Sequence, residues 1–299
     1  MPSDPVLICA GSLHHDVIVG APALPRVDQT LTGSSVRYAF GGKGGNQAAA
    51  AARAGAEVHM AGAVGSDDLA MTLRAALDAA GVRRSGVQTH PGPSGMSVAI
   101  SLPDGSYGAV IVSGANLLLR PEAVQFPRDC ALMLLQSEIS EVANLTFARR
   151  AREAGMAIVL NAAPARPVAP ELLALTDLLV VNRGEAADIL GRPEQGIDAT
   201  RAAEDLAAVG PAAVIVTLGA EGLVISHQGR LTIQPAQRVK VVSSHGAGDA
   251  FIGALAAEWA RGASLDAAAA FGQTAAALLV SMTPGERQAI TEAAIRARM

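Results

Sequence analysis

Two cysteines in 299 residues, Cys9 and Cys130, leave no basis for a disulfide framework. Both sit in apolar runs and read as small buried hydrophobes. There is no Cys-x-x-Cys pair and no His-Glu-x-x-His, so a zinc site built by the protein has no support. Aromatic residues make up only 3% of the chain, and the formal charge is -4 without any Lys/Arg run. Few stacking rings and an acidic balance argue against nucleic acid as a partner. No apolar stretch reaches membrane-spanning length: Ala267–Val280 is interrupted by Gly272, Gln273 and Thr274. Acidic Asp4 stands where a basic leader would begin, so a cytoplasmic protein with no membrane partner is expected. Two common nucleotide loops are also missing. A dinucleotide fingerprint starting at Gly246 needs glycine where Phe251 stands, and a P-loop needs Ser or Thr where Gly44 follows Gly42-Lys43.

What is present is an alternation of short apolar runs and helical stretches. Strands are expected at Val6–Ala10, Val17–Val19, Leu31–Phe40, Val58–Ala61, Leu132–Gln136, Ile158–Asn161, Leu178–Val181 and Val214–Thr217. Asn46 is expected to open an Ala-rich helix after the glycine run Gly41–Gly45, and further helices follow at about 67–80, 142–154, 185–190 and 201–208. Hairpins are signalled by Ser97–Leu102 and Tyr107–Val112 about Pro103-Asp104-Gly105, and by Leu223–Ser226 and Leu231–Gln234. This rhythm predicts an α/β fold, a mostly parallel sheet with helices on both faces. The segments near 13–40 and 95–113 are expected to form a small antiparallel lid within a single domain spanning 1–299.

The richest stretch is Ser244-His245-Gly246-Ala247-Gly248-Asp249-Ala250-Phe251-Ile252-Gly253. A tight glycine turn leading into an apolar helix places free amides and the positive end of the macrodipole together, which attracts an anion. One carboxylate, Asp249, lies in that mouth. An anion hole beside a lone acid suits phosphoryl transfer to a hydroxyl.

Other motifs occur in a set order: Gly11-Ser12 with Asp16, Gly41-Gly42-Lys43-Gly44-Gly45-Asn46-Gln47-Ala48, Ser113-Gly114-Ala115-Asn116 and Gln136-Ser137-Glu138. Leu160-Asn161-Ala162-Ala163-Pro164-Ala165, Asn182-Arg183-Gly184-Glu185, Thr217-Leu218-Gly219-Ala220-Glu221-Gly222 and Gly246-Ala247-Gly248-Asp249 complete the set. Together they resemble ribokinase-type members of the PfkB carbohydrate-kinase family over most of the chain. The resemblance implies a three-layer ribokinase-like fold with a small β-sheet lid that often pairs into a homodimer. It implies transfer of the ATP γ-phosphoryl, assisted by Mg²⁺, to a primary hydroxyl of a small sugar such as ribose. A nucleoside kinase of the same family and a catalytically silent sugar-binding homologue are the alternatives.

By the same resemblance Asp249 is the base, and the amides of Gly246, Ala247 and Gly248 form the anion hole. His14, Asp16, Gly42, Lys43, Asn46 and Glu138 map to the sugar, though Asn46 also reads as a plain N-cap and Glu138 as a solvated acid. Asn182, Thr217, Gly219, Gly222, Gly248 and Gln273 map to the nucleotide, and Glu185 to Mg²⁺ through water. Asn182 and Glu185 have capping-box spacing as well. An aspartate at a helix N-terminus is expected to have a lowered pKa.

Three departures stand out. Ser243 and Ser244 replace the family's usual Asp-Thr, and Glu286 and Arg287 enter a tail usually made of small residues; both regions serve the family's monovalent-cation site, which argues against K⁺ activation. His14 stands where Asn is common. As neighbours on a strand, His14 and His15 point to opposite faces, one toward the sugar and the other toward solvent or a partner.

Overall fold

The computed structural model describes residues 4–104 and 106–299, and the side chain of Tyr107 and Gly105 of the expected turn lie outside the described residues. In chain order the strands are β1 (Val6–Ala10), β2 (His14–Gly20), β3 (Ser35–Gly41), β4 (Glu57–Val64), β5 (Arg83–Thr89), β6 (Gly95–Ser101) and β7 (Tyr107–Val112). They continue as β8 (Cys130–Gln136), β9 (Ala157–Asn161), β10 (Leu178–Asn182), β11 (Ala213–Thr217), β12 (Leu223–His227) and β13 (Arg230–Gln234). The helices are α1 (Lys43–Arg53), α2 (Leu69–Ala79), α3 (Glu141–Glu153), α4 (Pro170–Leu175), α5 (Arg183–Ile189), α6 (Ala199–Ala207), α7 (Ala247–Ala260), α8 (Leu265–Ser281) and α9 (Glu292–Arg298).

Nine strands form the large sheet in the order β13-β12-β11-β10-β9-β8-β1-β4-β5. All neighbours from β11 to β5 run parallel, and the β12–β13 hairpin adds antiparallel at one edge. The apolar runs of the central strands bury alternate residues on opposite faces, as the two-residue period of a strand requires. Leu7, Cys9, Leu132 and Val180 join a core with α1, α2, α7, α8 and α9. Ile8, Ala10, Met133 and Val181 join a second core with α3, α4, α5 and α6. The result is three layers, with the carboxyl ends of the parallel strands free to build a site.

β3, β2, β6 and β7 make a separate four-stranded sheet. Its outer pairs are antiparallel, but the central β2–β6 pair is parallel, which corrects the expected all-antiparallel lid. The parallel pairing arises because β2 and β6 come from two distant segments rather than one hairpin. Two elements were not anticipated. β5 is a polar edge strand (Arg-Arg-Ser-Gly-Val-Gln-Thr) with little alternation, and α4 spans six residues opened by Pro170.

The start of α1 is also corrected, from Asn46 to Lys43. Glycines are poor helix formers, but here contacts with distant chain decide. Gly42 turns the backbone at φ 84°, and the Gly45 N–H donates to Ser12 O at 2.9 Å. A Cβ on Gly44 would lie 2.6 Å from the backbone carbon of Gly11, so no other residue lets this helix approach the end of β1.

Candidate active site at the strand carboxyl ends

α7 is capped by Gly246, whose φ of 82° is the left-handed conformation glycine tolerates. The first intrahelical bond runs from the Ala250 N–H to Gly246 O at 3.0 Å. The amides of Gly248 and Asp249 precede it and have no helical acceptor. A Cβ at Gly246 or Gly248 would meet nothing within 4 Å, so this helix mouth faces open space. The Ala247 amide differs from expectation: it donates to Ser244 O at 3.1 Å and is spent on closing the turn.

The Asp249 carboxylate is fixed by α1. Gln47 Nε2 donates to Asp249 Oδ1 at 3.0 Å, and Asn46 Nδ2 to Oδ2 at 3.3 Å. Gln47 is in turn held by Asn161 Oδ1 at 3.0 Å, and Asn161 Nδ2 donates to Val180 O at 3.1 Å. A chain of amides thus links the ends of β9 and β10 to the acid. Asn46 lies inside the first turns of α1, so its reading as an N-cap is withdrawn. Gln47 and Asn161 have no assigned role in the sequence reading, since an amide in an Ala-rich helix has no local signature.

The pKa of Asp249 is the clearest reversal. Burial by surrounding protein raises it above the ordinary 3.8, and the Glu138 carboxylate adds to the rise. The Lys43 ammonium and the Gln47 and Asn46 amides oppose this without cancelling it. The helix-end argument for a lowered value is outweighed by desolvation.

Around this acid lie the residues assigned to the sugar. Glu138 is 9% exposed, and its Oε2 accepts from the Ser12 hydroxyl and from the Lys43 N–H, the latter at 2.8 Å. It is a buried cap for α1 rather than a solvated acid. Asp16, 6% exposed, accepts from Ser97 Oγ at 2.5 Å and lies over Gly41, where any Cβ would strike its carboxylate. His14, 2% exposed, shares the buried face of β2 with Asp16, and its Nε2 is buried without a partner among the described residues. Burial lowers the His14 pKa while Glu138 and Asp16 raise it, and the net direction is down, which favours the neutral ring. His15 points the other way, onto the Tyr38 ring at 5.5 Å between centroids. Gly42 has no room for a side chain: its Cβ would meet Ser12 O at 2.7 Å. Asn116 pins Leu13 through both its amide atoms, at 2.9 and 3.0 Å, which holds the β1–β2 junction in place.

On the other side of the α7 mouth is a cavity of about 550 Å³ lined by Thr217, Gly219, Gly222, Gly248, Phe251 and Gln273 among others. It is within the range of small-molecule sites. Thr217 Oγ1 donates to Val181 O at 3.2 Å, and Gln273 makes only long contacts, 3.4 and 3.5 Å, to Pro235 and Gln234 carbonyls. Gly222, at φ 109°, is required by the hairpin itself, since its Cβ would sit 2.1 Å from Gln234 O.

Asn182 and Glu185 do not line that cavity. They form the complete capping box of α5, with both bonds at 2.8 Å. Burial raises the Glu185 pKa, helped by Asp188 and Asp249 and opposed by the Asn182 N–H and Lys43. Glu185, Lys43 and Asp249 therefore feel one another's charge. Among the described residues no group of three or more His, Cys, Asp or Glu stands ready to hold a metal, and no helix is long and apolar enough to cross a membrane.

A fixed acid at a helix mouth, with buried polar side chains on one side and a cavity of small-molecule size on the other, is the arrangement a small-molecule phosphotransferase needs. Residues 6–287 match the model of the pfkB family of carbohydrate kinases, and the chain belongs to that family. It is 34% identical to a ribokinase of Haemophilus influenzae over 92% of each chain, and 33% identical to a ribokinase of Bacillus subtilis over 91% of this chain and 92% of that one. Its fold matches the Arabidopsis thaliana ribokinase solved with ribose and ATP at a TM-score of 0.88, with 28% identity, covering 99% of this chain and 98% of that one.

Proposed function

We propose that this chain is an ATP-dependent kinase that phosphorylates the primary hydroxyl of ribose or a closely related pentose. The observation that carries the reading is the Asp249 carboxylate, held by Gln47 and Asn46 at the helix mouth beside the Thr217–Gln273 cavity. The sugar lies among His14, Asp16, Gly42, Lys43, Asn46 and Glu138, whose carboxylates, amide and neutral ring are suited to hydroxyls in fixed directions. The triphosphate extends from the Thr217–Gly222 and Gln273 cavity toward the Gly246 and Gly248 amides. As the sugar oxygen bonds to the γ-phosphorus and the bond to the bridging oxygen of ADP breaks, Asp249 takes the hydroxyl proton. The first-turn amides of α7 and Lys43 meet the charge on the transferring group.

Mg²⁺ is expected to arrive with the nucleotide and neutralise phosphate charge. It keeps most of its water shell and needs few protein ligands, so Glu185 and Asn182 fit it through water. ADP release with a panel of pentoses, hexoses and nucleosides tests the reading: ribose or a near relative should give the highest kcat/KM. A nucleoside as best substrate, or no ADP above the sugar-free background, contradicts it.

A base must be ionised, so kcat/KM for the sugar should fall as the pH drops through the raised Asp249 value, above the ordinary 3.8. Lys43, Glu138, Glu185 and His14 share this field, and His14 also titrates on the acid side. Gln47→Leu separates them: it removes a bond that holds the Asp249 value down, so the acid limb should move to higher pH. A limb unmoved by that substitution rules Asp249 out as its origin.

The single kinase domain is proposed to use the small sheet as a lid and to dimerise through it. Val36, Tyr38, Val98 and Val110 leave apolar surface exposed on that sheet, a feature that usually marks an interface. Sedimentation at micromolar concentration should give a dimer, and Val110→Asp should give a monomer; a wild-type monomer contradicts this. A cytoplasmic location is part of the proposal, supported by two unpaired thiols, and cell fractionation tests it.

A further inference from the structure

The loop before α7 leads into the first turn whose free amides serve the anion hole, and it is tethered at two points. The Val242 and Ser243 N–H groups donate to Val280 O, at the end of α8, at 2.7 and 3.2 Å. Its carbonyls are held by Arg287: Nη1 donates to His245 O at 3.0 Å and Nη2 to Ser243 O at 3.3 Å. The guanidinium is half-buried, and its Nε is buried without a partner. Among the described residues no carboxylate pairs with Arg287. The adjacent Glu286 is committed to the N–H and hydroxyl of Thr283, at 2.8 and 2.7 Å.

Two loop carbonyls turned toward one guanidinium form an electronegative spot that favours a cation. In this chain the guanidinium already satisfies them, with two donors in a rigid plane. A bare K⁺ or Na⁺ would need those same oxygens as ligands, so the residues present do not fit a monovalent-cation site here. We propose that Arg287 is a built-in cation that positions the Ser243–Gly246 loop, and through it the first turn of α7, and that it makes turnover independent of added monovalent cations. This rests on the kinase reading above. Arg287 is a positioning residue: it touches the loop, and the loop sets the first turn of α7 that presents the amides.

The test compares wild type with R287Q and R287K in buffer free of K⁺ and Na⁺, then with rising KCl or guanidinium chloride. Wild-type kcat should change by less than about twofold across the titration, while R287Q should lose about 10- to 100-fold in kcat, the scale of a misplaced reacting group. The sugar KM and melting temperature of R287Q should stay near wild type, and K⁺ or guanidinium should restore part of kcat. R287K, which keeps the charge but loses the fork, should fall between. Calorimetry gives a readout apart from turnover. R287Q should bind ADP as wild type does but bind ADP with aluminium fluoride, a mimic of the transferring group, about tenfold more weakly. Strong KCl dependence of the wild type, or wild-type kcat and aluminium fluoride binding in R287Q, overturns the proposal. Wild type that turns over no sugar sinks the kinase reading instead, and the ADP–aluminium fluoride comparison still decides the role of Arg287.

Discussion

Asp249→Asn should lower kcat by about 10³-fold, equivalent to about 4 kcal/mol of lost transition-state stabilisation, while the protein stays folded. Asparagine keeps the shape and cannot take the hydroxyl proton. Its effect on stability should be small because two changes oppose each other. Of the donors from Gln47 and Asn46, one keeps only a neutral acceptor and the other faces an NH₂ group, but the protein no longer holds a carboxylate that burial disfavours. The melting temperature should therefore stay within a few degrees of wild type, and ADP should bind as before. A variant with more than about a tenth of normal kcat would remove Asp249 from the role of base.

Gly253→Ala should be nearly as damaging by another route. Gly253 lies one turn beyond Asp249 on α7, where α7 crosses α1. A Cβ there would be 2.5 Å from Gln47 O, 2.6 Å from the Ala50 Cβ and 2.8 Å from the Ala51 N. Helix propensity alone favours alanine over glycine by about 1 kcal/mol. Two of the three contacts are backbone atoms of a packed helix and cannot swing aside, so overpacking should prevail at about 1–3 kcal/mol. Separating the helices also separates Asp249 from Gln47 and Asn46. The expected result is a melting temperature lower by several degrees and a kcat reduced about 10- to 100-fold, with ATP affinity less affected. A variant at least as stable as wild type with full kcat would show that the close α1–α7 approach does not position the acid.

These two residues also show what local sequence can and cannot reveal. Asp249 and its glycines were legible because the signal is contained in four consecutive positions. The environment of Asp249 is not: the helix mouth argues for a low pKa, whereas burial and the Glu138 carboxylate, distant in sequence, raise it. By sequence alone the Gly41–Gly45 run is a break ahead of the helix. In the fold Lys43, Gly44 and Gly45 are already helical, because the end of β1 leaves room only for glycine. Glu138 reads as a surface acid after an apolar strand until Ser12 and the Lys43 N–H are found beneath it. The parallel β2–β6 pairing is likewise a long-range fact, since each segment taken alone shows only alternation. Ser243, Ser244 and Arg287 were visible as departures, but only the fold brings the guanidinium onto the loop carbonyls.

The most direct measurement is phosphorus NMR of the purified chain incubated with ATP, Mg²⁺ and ribose. The account predicts ADP and, in equal amount, a phosphomonoester whose signal is split by two methylene protons, with both formed about 10³-fold more slowly by Asp249→Asn. Inorganic phosphate in place of the ester, or an ester on a ring hydroxyl coupled to a single proton, would contradict it.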